Sequence, residues 1–309
     1  MTFPFLSRDG AALAPDRKQT AALDFGSYLE LTKPRLSALS VVTALVGYLA
    51  AQPQGGLWVL GGLLVGTSLA AGAAGALNQY LERELDQRMA RTRGRPVPSG
   101  VLPAEHALIF GLALAVAGLA VLALTTNLLA TAITAAILLS YLGAYTPLKT
   151  RSPWCTVVGA IPGALPPLVG WAAATGTVSV LGWILFGLVF AWQIPHFFAL
   201  AWTYRADYRE AGMPMLTVVE PSGARAARQS LLFTLTLVAL SLLPVAMGLT
   251  SAWFYGTVSL AAGGWFLLRA WQFAACLPSR DRAARKLFFA SISYLPLLLA
   301  ALVLDRWLF

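Results

Sequence analysis

The chain has 309 residues, of which 58% are hydrophobic and only 11% charged, with a mean hydropathy of +0.70. That balance excludes a water-soluble globular domain and a disordered chain alike. A net charge of +9 would point to nucleic acid in a soluble protein, but here the charges lie in short connections between apolar runs, which excludes that partner.

Residues 1–35 contain no apolar run of the kind a secretory leader needs. A short cytoplasmic tail, 1–27, is therefore expected ahead of one intramembrane domain, 28–309. Nine apolar runs follow, at about 36–52, 57–77, 107–124, 128–145, 154–173, 179–200, 230–249, 253–269 and 287–304, the first, fourth and eighth being short. About 20 residues cross the ~30 Å hydrocarbon core, and these runs are continuous rather than alternating. They predict an all-α polytopic membrane protein with nine transmembrane helices.

The basic residues give the orientation. Of 22, 21 fall before the first run or on every second connection thereafter, and only Arg306 lies on the other side. The positive-inside rule then places the N-terminus in the cytoplasm and the C-terminus outside. Connections on the outer side are short and uncharged: QPQGG, TTN and TGTVS. The long cytoplasmic ones, 78–106 and 201–229, follow spans two and six, which hints at two four-helix halves and a ninth helix. Cys155 and Cys276 are read as free packing thiols.

Span two ends in GTSLAAGAAGALNQY, where Gly66, Gly72, Ala73, Gly75 and Ala76 let another helix approach closely. This end is expected inside the bundle. Directly after it, NQYLERELDQRMARTRGRP (78–96) collects acids and arginines. Asn78, Glu82 and Asp86 stand at i, i+4 and i+8, and each step of four drifts only about 40° around a helix and rises about 6 Å. They form an oxygen-bearing ladder on one face. Carboxylate and amide oxygens suit Mg²⁺, which is usually held by one or two carboxylates plus substrate phosphates. Arg91, Arg93 and Arg95 supply planar donors for phosphate oxygens. A lipid diphosphate carried by Mg²⁺ at a membrane surface satisfies both. The plainer account is that Arg83 and Arg88 orient the helix and Glu84 pairs with Arg88.

YTPLKTRSPW places Tyr145 and Lys149 at the end of span four, where Lys149 either steadies a phosphate or anchors the interface. A second polar cluster, WQIPHFFALAWTYRADYREAGMPMLTVV (192–219), carries His196 inside an apolar helix, eleven residues before Asp207, with Arg205, Arg209 and Glu210 close by. Ionisable groups at membrane depth are costly and usually functional, although a core histidine bonded to another helix's polar group is the simpler account. His106, beside Glu105 in a loop, reads as structural. A secondary transporter built of two halves would place its polar site near the bilayer midplane, whereas these acids gather at one membrane surface.

LTKPR (31–35), NQYLERELDQRMARTRGRP, YTPLK (145–149), PWCTVVGAIPGALPPLVGW (153–171), WQIPHFFALAW and DYREAGMPML (207–216) occur in this order. Together they resemble the intramembrane aromatic prenyltransferases of the UbiA type, and among these the branch that farnesylates heme. The first motif reads N-x-x-x-E-x-x-x-D, as in that branch. In the second, Ala211 stands where quinone-pathway members carry the later acid of D-x-x-x-D. The resemblance implies a nine-helix bundle around a central cavity, in a bacterial-type plasma (inner) membrane. The reaction it implies joins farnesyl diphosphate, heme b and water to give heme O and diphosphate. It further implies Mg²⁺ on Asn78, Glu82, Asp86 and Asp207, with Arg91, Arg95, Tyr145 and Lys149 at the diphosphate. His196 becomes a candidate ligand for heme iron, and Arg205 and Arg209 candidates for its propionates. A downstream heme A-forming oxidase is a candidate partner. An enzyme of the same fold acting on a quinone precursor or chlorophyllide is the alternative.

Overall fold

The computed structural model describes residues 25–53, 56–275 and 279–309. Most of the expected tail and Cys276 lie outside the described residues. All the regular structure described is helical. A short helix, α1 (Phe25–Leu31), leads into α2 (Pro34–Ala50) and α3 (Leu57–Leu81), and α4 (Arg83–Gln87) follows at once. Next come α5 (Ala104–Thr125) and α6 (Leu128–Leu139), which runs on through a π turn (Ser140–Tyr145) to Leu148. The broken pair α7 (Cys155–Ala164) and α8 (Pro166–Thr175) precedes α9 (Val180–Thr203). Two short helices, α10 (Arg205–Glu210) and α11 (Leu216–Val219), lead to α12 (Ala224–Ala246), α13 (Thr257–Ala275) and α14 (Arg280–Leu308).

Among the described residues, seven helical segments are long and apolar enough to cross a membrane. The protein is a multi-pass helical membrane protein. Of the other two expected spans, one coincides with α2, an apolar helix of 17 residues, and the other with α13. Large apolar side chains such as Leu57, Val116, Leu124 and Leu128 are 69–85% exposed, as lipid-facing residues must be.

Two apolar cores divide the bundle. Ala44, Tyr48, Leu63, Leu122, Val169 and Ala172 join α2, α3, α5 and α8. Leu185, Leu188, Leu237, Phe266, Tyr294 and Leu298 join α9, α12, α13 and α14. The division departs from two halves in chain order, because the fifth span is shared. Its second part, α8, packs with the first group, while Ala160 of α7 packs against Ile194 and Phe198 of α9. The α2–α8 crossing depends on glycine: a Cβ on Gly47 would collide with the Pro167 carbonyl, and one on Gly170 with that of Ala44.

The expected burial of the end of span two is observed. Gly75 lies against the Leu31 carbonyl and Thr32, so the α1–α2 turn rests directly on α3. Gly75 lies one turn of α3 before Asn78, so that contact brings the next residue, Lys33, within reach of Asn78.

Candidate active site

The ladder is present, and every rung is buried: Asn78 is 3%, Glu82 5% and Asp86 1% exposed. The helix is interrupted at Glu82, which separates α3 from α4. The i to i−4 bonds nonetheless continue across the break, from Glu82 N–H to the Asn78 carbonyl (2.9 Å) and from Asp86 N–H to the Glu82 carbonyl (2.8 Å). Glu84 pairs with Arg83 at 3.9 Å rather than with Arg88.

Each rung holds a cation from a different part of the chain. Lys33 Nζ donates to Asn78 Oδ1 at 2.6 Å. Lys149 Nζ lies 3.1 Å from both oxygens of Glu82. Arg95 donates to Asp86 Oδ2 at 2.6 Å. Lys33 follows the α1–α2 turn and has a left-handed backbone, φ 49°. Arg95 comes from the 88–103 loop, which Thr92 fastens by donating to the Asp86 carbonyl at 2.8 Å. Lys149 follows the π turn after α6, immediately past the helical stretch that ends at Leu148. Pro147 has no N–H to continue an α-helical ladder there, and such widened turns recur at functional sites. Tyr145 lies in the same turn, with Glu82 and Arg91 among the charges acting on its phenol.

Three cations against two carboxylates leave the cluster one positive charge in excess. Burial and the neighbouring Arg95 and Lys149 push the Lys33 ammonium down to about 8 from its ordinary 10.5. The donor set also has spare capacity: Asp86 Oδ1, Asn78 Nδ2 and Gln79 Oε1 are buried without a hydrogen-bond partner among the described residues. Asp86 Oδ1 and Gln79 Oε1 are free oxygens that fit a hard divalent cation sharing its shell with phosphate oxygens, while Asn78 Nδ2 is a spare donor suited to a phosphate oxygen. No group of three or more His, Cys, Asp or Glu side chains among the described residues could hold a metal unaided.

The second cytoplasmic connection closes on the first. Met89, Ala211 and Met213 form a buried apolar cluster with Leu85, Tyr208 and Met215 around it, and Arg91 stacks over Tyr204, 5.7 Å from the ring centre. Ala211 is thus a packing residue that ties the two loops together. Asp207 and Arg209 are exposed on α10. Helix α9 ends at Thr203, so His196 and Asp207 do not share one helix. Arg205 stacks on Trp202 at 4.4 Å and pairs with Asp281 at 3.1 Å, and Trp202 itself donates to Asp281 at 2.6 Å. Arg205 is therefore fixed to the start of α14.

His196 lies deeper, in α9. Trp192 donates to the Ser291 carbonyl of α14, while Gln193 donates to the Ala160 carbonyl of α7. At 100° per residue His196 falls between them, on the strip of α9 that separates its two neighbours. Its ring is stacked between Trp192 (4.8 Å) and Phe288 (4.9 Å), and Nδ1 meets Ser291 Oγ at 2.7 Å. Nε2 makes no hydrogen bond among the described residues.

Sequence reasoning named five of the six ladder and cation residues but read Lys33 only as an orienting charge. The KPR run preceding a span was the available signal. Ser291, one of two serines in α14, gave none.

Residues 40–292 match the UbiA prenyltransferase family. A protoheme IX farnesyltransferase of Opitutus terrae is 52% identical over 91% of this chain and 95% of its own length. A protein of the same description from Solibacter usitatus is 43% identical over 90% and 98%. Among solved structures, one described as digeranylgeranylglyceryl phosphate synthase superposes with a TM-score of 0.78 at 17% identity, over 91% of this chain and 98% of that one. A UbiA homolog from Archaeoglobus fulgidus bound to GPP and Mg²⁺ gives 0.60 at 14% identity, over 89% and 99%. The structural likenesses establish the fold. The chain belongs to the UbiA prenyltransferase family.

Proposed function

We propose that the protein transfers the farnesyl group of farnesyl diphosphate to a vinyl group of heme b, with addition of water, giving heme O and diphosphate. The observation that carries this reading is the buried ladder of Asn78, Glu82 and Asp86, with Lys33, Lys149 and Arg95 each on one rung. The identity of the relatives and the glutamate in the first motif favour heme over a quinone precursor or chlorophyllide.

Glu82, Asp86 and Asn78 are the residues that would hold Mg²⁺, with Asp207 approaching from the second loop. The ion supplies charge neutralisation at the departing diphosphate. Lys33, Lys149 and Arg95 bind the diphosphate oxygens and stabilise the charge that grows on them as the allylic C–O bond breaks. Arg91 and Tyr145 flank that group. The C–O electron pair leaves with the diphosphate, and the farnesyl cation is held where the apolar bundle excludes water and aromatic faces stabilise positive charge. The vinyl π electrons form the new C–C bond. A water molecule then adds to the carbocation left on the porphyrin side and releases a proton. His196, with Nε2 unengaged, would orient the acceptor through its iron, and Arg209, exposed on α10, would receive the propionates together with Arg205, which Trp202 and Asp281 hold in place.

Nine membrane-crossing helices, an internal N-terminus and an external C-terminus follow if α2 and α13 also span the bilayer. Exposed tryptophans mark an interface at each end of the bundle, Trp58, Trp183, Trp253 and Trp307 at one and Trp154 and Trp271 at the other. The basic residues gathered at the second end support this orientation. The loops then face the cytoplasm, the membrane is a bacterial plasma membrane, and a heme A-forming oxidase is the partner suited to take the product.

Pigment extraction from membranes of cells expressing the chain tests the function. Heme O should appear where only heme b was present. Unchanged heme alongside a prenylated quinone precursor would transfer the assignment to the other branch.

A further inference from the structure

The His196–Ser291 contact contains more information than a packing bond. Ser291 is fully buried on α14, and its hydroxyl has one proton and two acceptor positions. Oγ lies 2.5 Å from the Phe288 carbonyl and 2.7 Å from His196 Nδ1. At 2.5 Å from a carbonyl oxygen, the hydroxyl must direct its proton there, since two facing lone pairs would repel. Toward the imidazole Ser291 can then only accept. Nδ1 therefore carries the ring proton, and Nε2 carries a lone pair.

The ring cannot easily avoid this choice. Trp192 and Phe288 stack on its two faces, with interplanar angles of 24° and 29°, and fix its plane. Trp192 is itself pinned to the Ser291 backbone carbonyl at 2.8 Å, a bond independent of the serine side chain. Sidedness is left to the hydroxyl alone. A ligating imidazole commonly donates its other N–H to an oxygen that sets tautomer and orientation.

We infer that Ser291 is a positioning residue that holds His196 in the Nδ1–H form, so that the Nε2 lone pair is presented to the iron of the porphyrin acceptor. This rests on the heme reading above. It assigns to Ser291 the orientation of the acceptor, with no part in diphosphate binding.

The chain has only two histidines, so a His106→Gln background leaves His196 as the single imidazole signal in ¹⁵N NMR of the reconstituted, heme-free protein. An Nδ1–H tautomer is expected there. Ser291→Ala should shift it toward Nε2–H, and Ser291→Thr should restore it. Hemin titration followed at the Soret band supplies the second readout. His196→Ala should remove the histidine-ligated spectrum. Ser291→Ala should weaken hemin binding by about tenfold to a hundredfold, with farnesyl diphosphate affinity unchanged and the threonine variant close to wild type. An Nε2–H tautomer in the parent protein overturns the inference. So does a Ser291→Ala variant with unaltered tautomer and hemin affinity, even where His196→Ala changes the spectrum. An unchanged spectrum in His196→Ala removes the ligand reading itself and the inference with it.

Discussion

Lys149 Nζ lies equidistant, 3.1 Å, from the two carboxylate oxygens of Glu82, although 67 residues separate them along the chain. The Lys149 side chain is 19% and that of Glu82 4% exposed, so neither charge has water enough to stand alone. Losing one partner strands the other, which is more damaging than losing both. Glu82→Gln should therefore lower turnover by about two orders of magnitude, consistent with removal of one transition-state electrostatic contact. Farnesyl transfer assayed against Mg²⁺ concentration measures this. Wild-type turnover in Glu82→Gln, or an activity indifferent to Mg²⁺, would dismiss the ladder as the metal site.

Lys33 gives a pH signature. Its ammonium is held at about 8 rather than 10.5, so the ligand-free site loses this charge as pH rises through 8. Farnesyl diphosphate affinity should fall above that pH, and binding there should take up a proton, because the anion favours the charged form. Lys33→Arg should abolish the alkaline limb, since guanidinium stays charged. The stability effect has the opposite sense. A folded value below the unfolded one means that the folded protein binds fewer protons between 8 and 10.5, so this group makes stability rise with pH across that window. Calorimetry in buffers of different ionisation enthalpy counts the protons, and no uptake at pH 9 would refute the assignment.

Arg95→Ala should weaken farnesyl diphosphate binding more than hemin binding. It should also destabilise the protein by about 3 kcal/mol, the low end for a broken buried pair, because Asp86 is 1% exposed while Arg95 keeps 27% exposure. Arg95→Lys should recover most of the stability but little of the bidentate phosphate contact. Parallel titrations of the two substrates decide the matter. Equal losses would indicate a collapsed loop.

Ala211→Asp recreates the second acid of the quinone-type pattern. Because Ala211 is buried with Met89 and Met213, a carboxylate there should break the contact between the two loops rather than improve metal binding. Faster hydrogen exchange in 85–95 and 208–216, with lower turnover at every Mg²⁺ concentration, is the expected result. Unchanged exchange with a tighter Mg²⁺ requirement would show that the position faces the site.

The sequence alone determined the helical membrane class, the ladder at i, i+4, i+8 and the family. Each of these rests on local periodicity or on motif order, which survive without knowledge of packing. Close approach at Gly75 was also legible there, because small residues at helical spacing have few other uses in a membrane. Which cation meets which acid was not. Lys33, Lys149 and Arg95 converge from three segments only because the Leu31–Thr32 turn rests on Gly75, the π turn redirects residue 149, and Thr92 fastens the loop. Nor could spacing show that Ala211 is apolar packing, that Arg205 belongs to Trp202 and Asp281, or that Ser291 faces His196. Those pairings join residues 76 to 122 positions apart or on separate loops. Side-chain partnership at such distances is decided by helix crossing, and the order of residues along the chain carries no direct record of it.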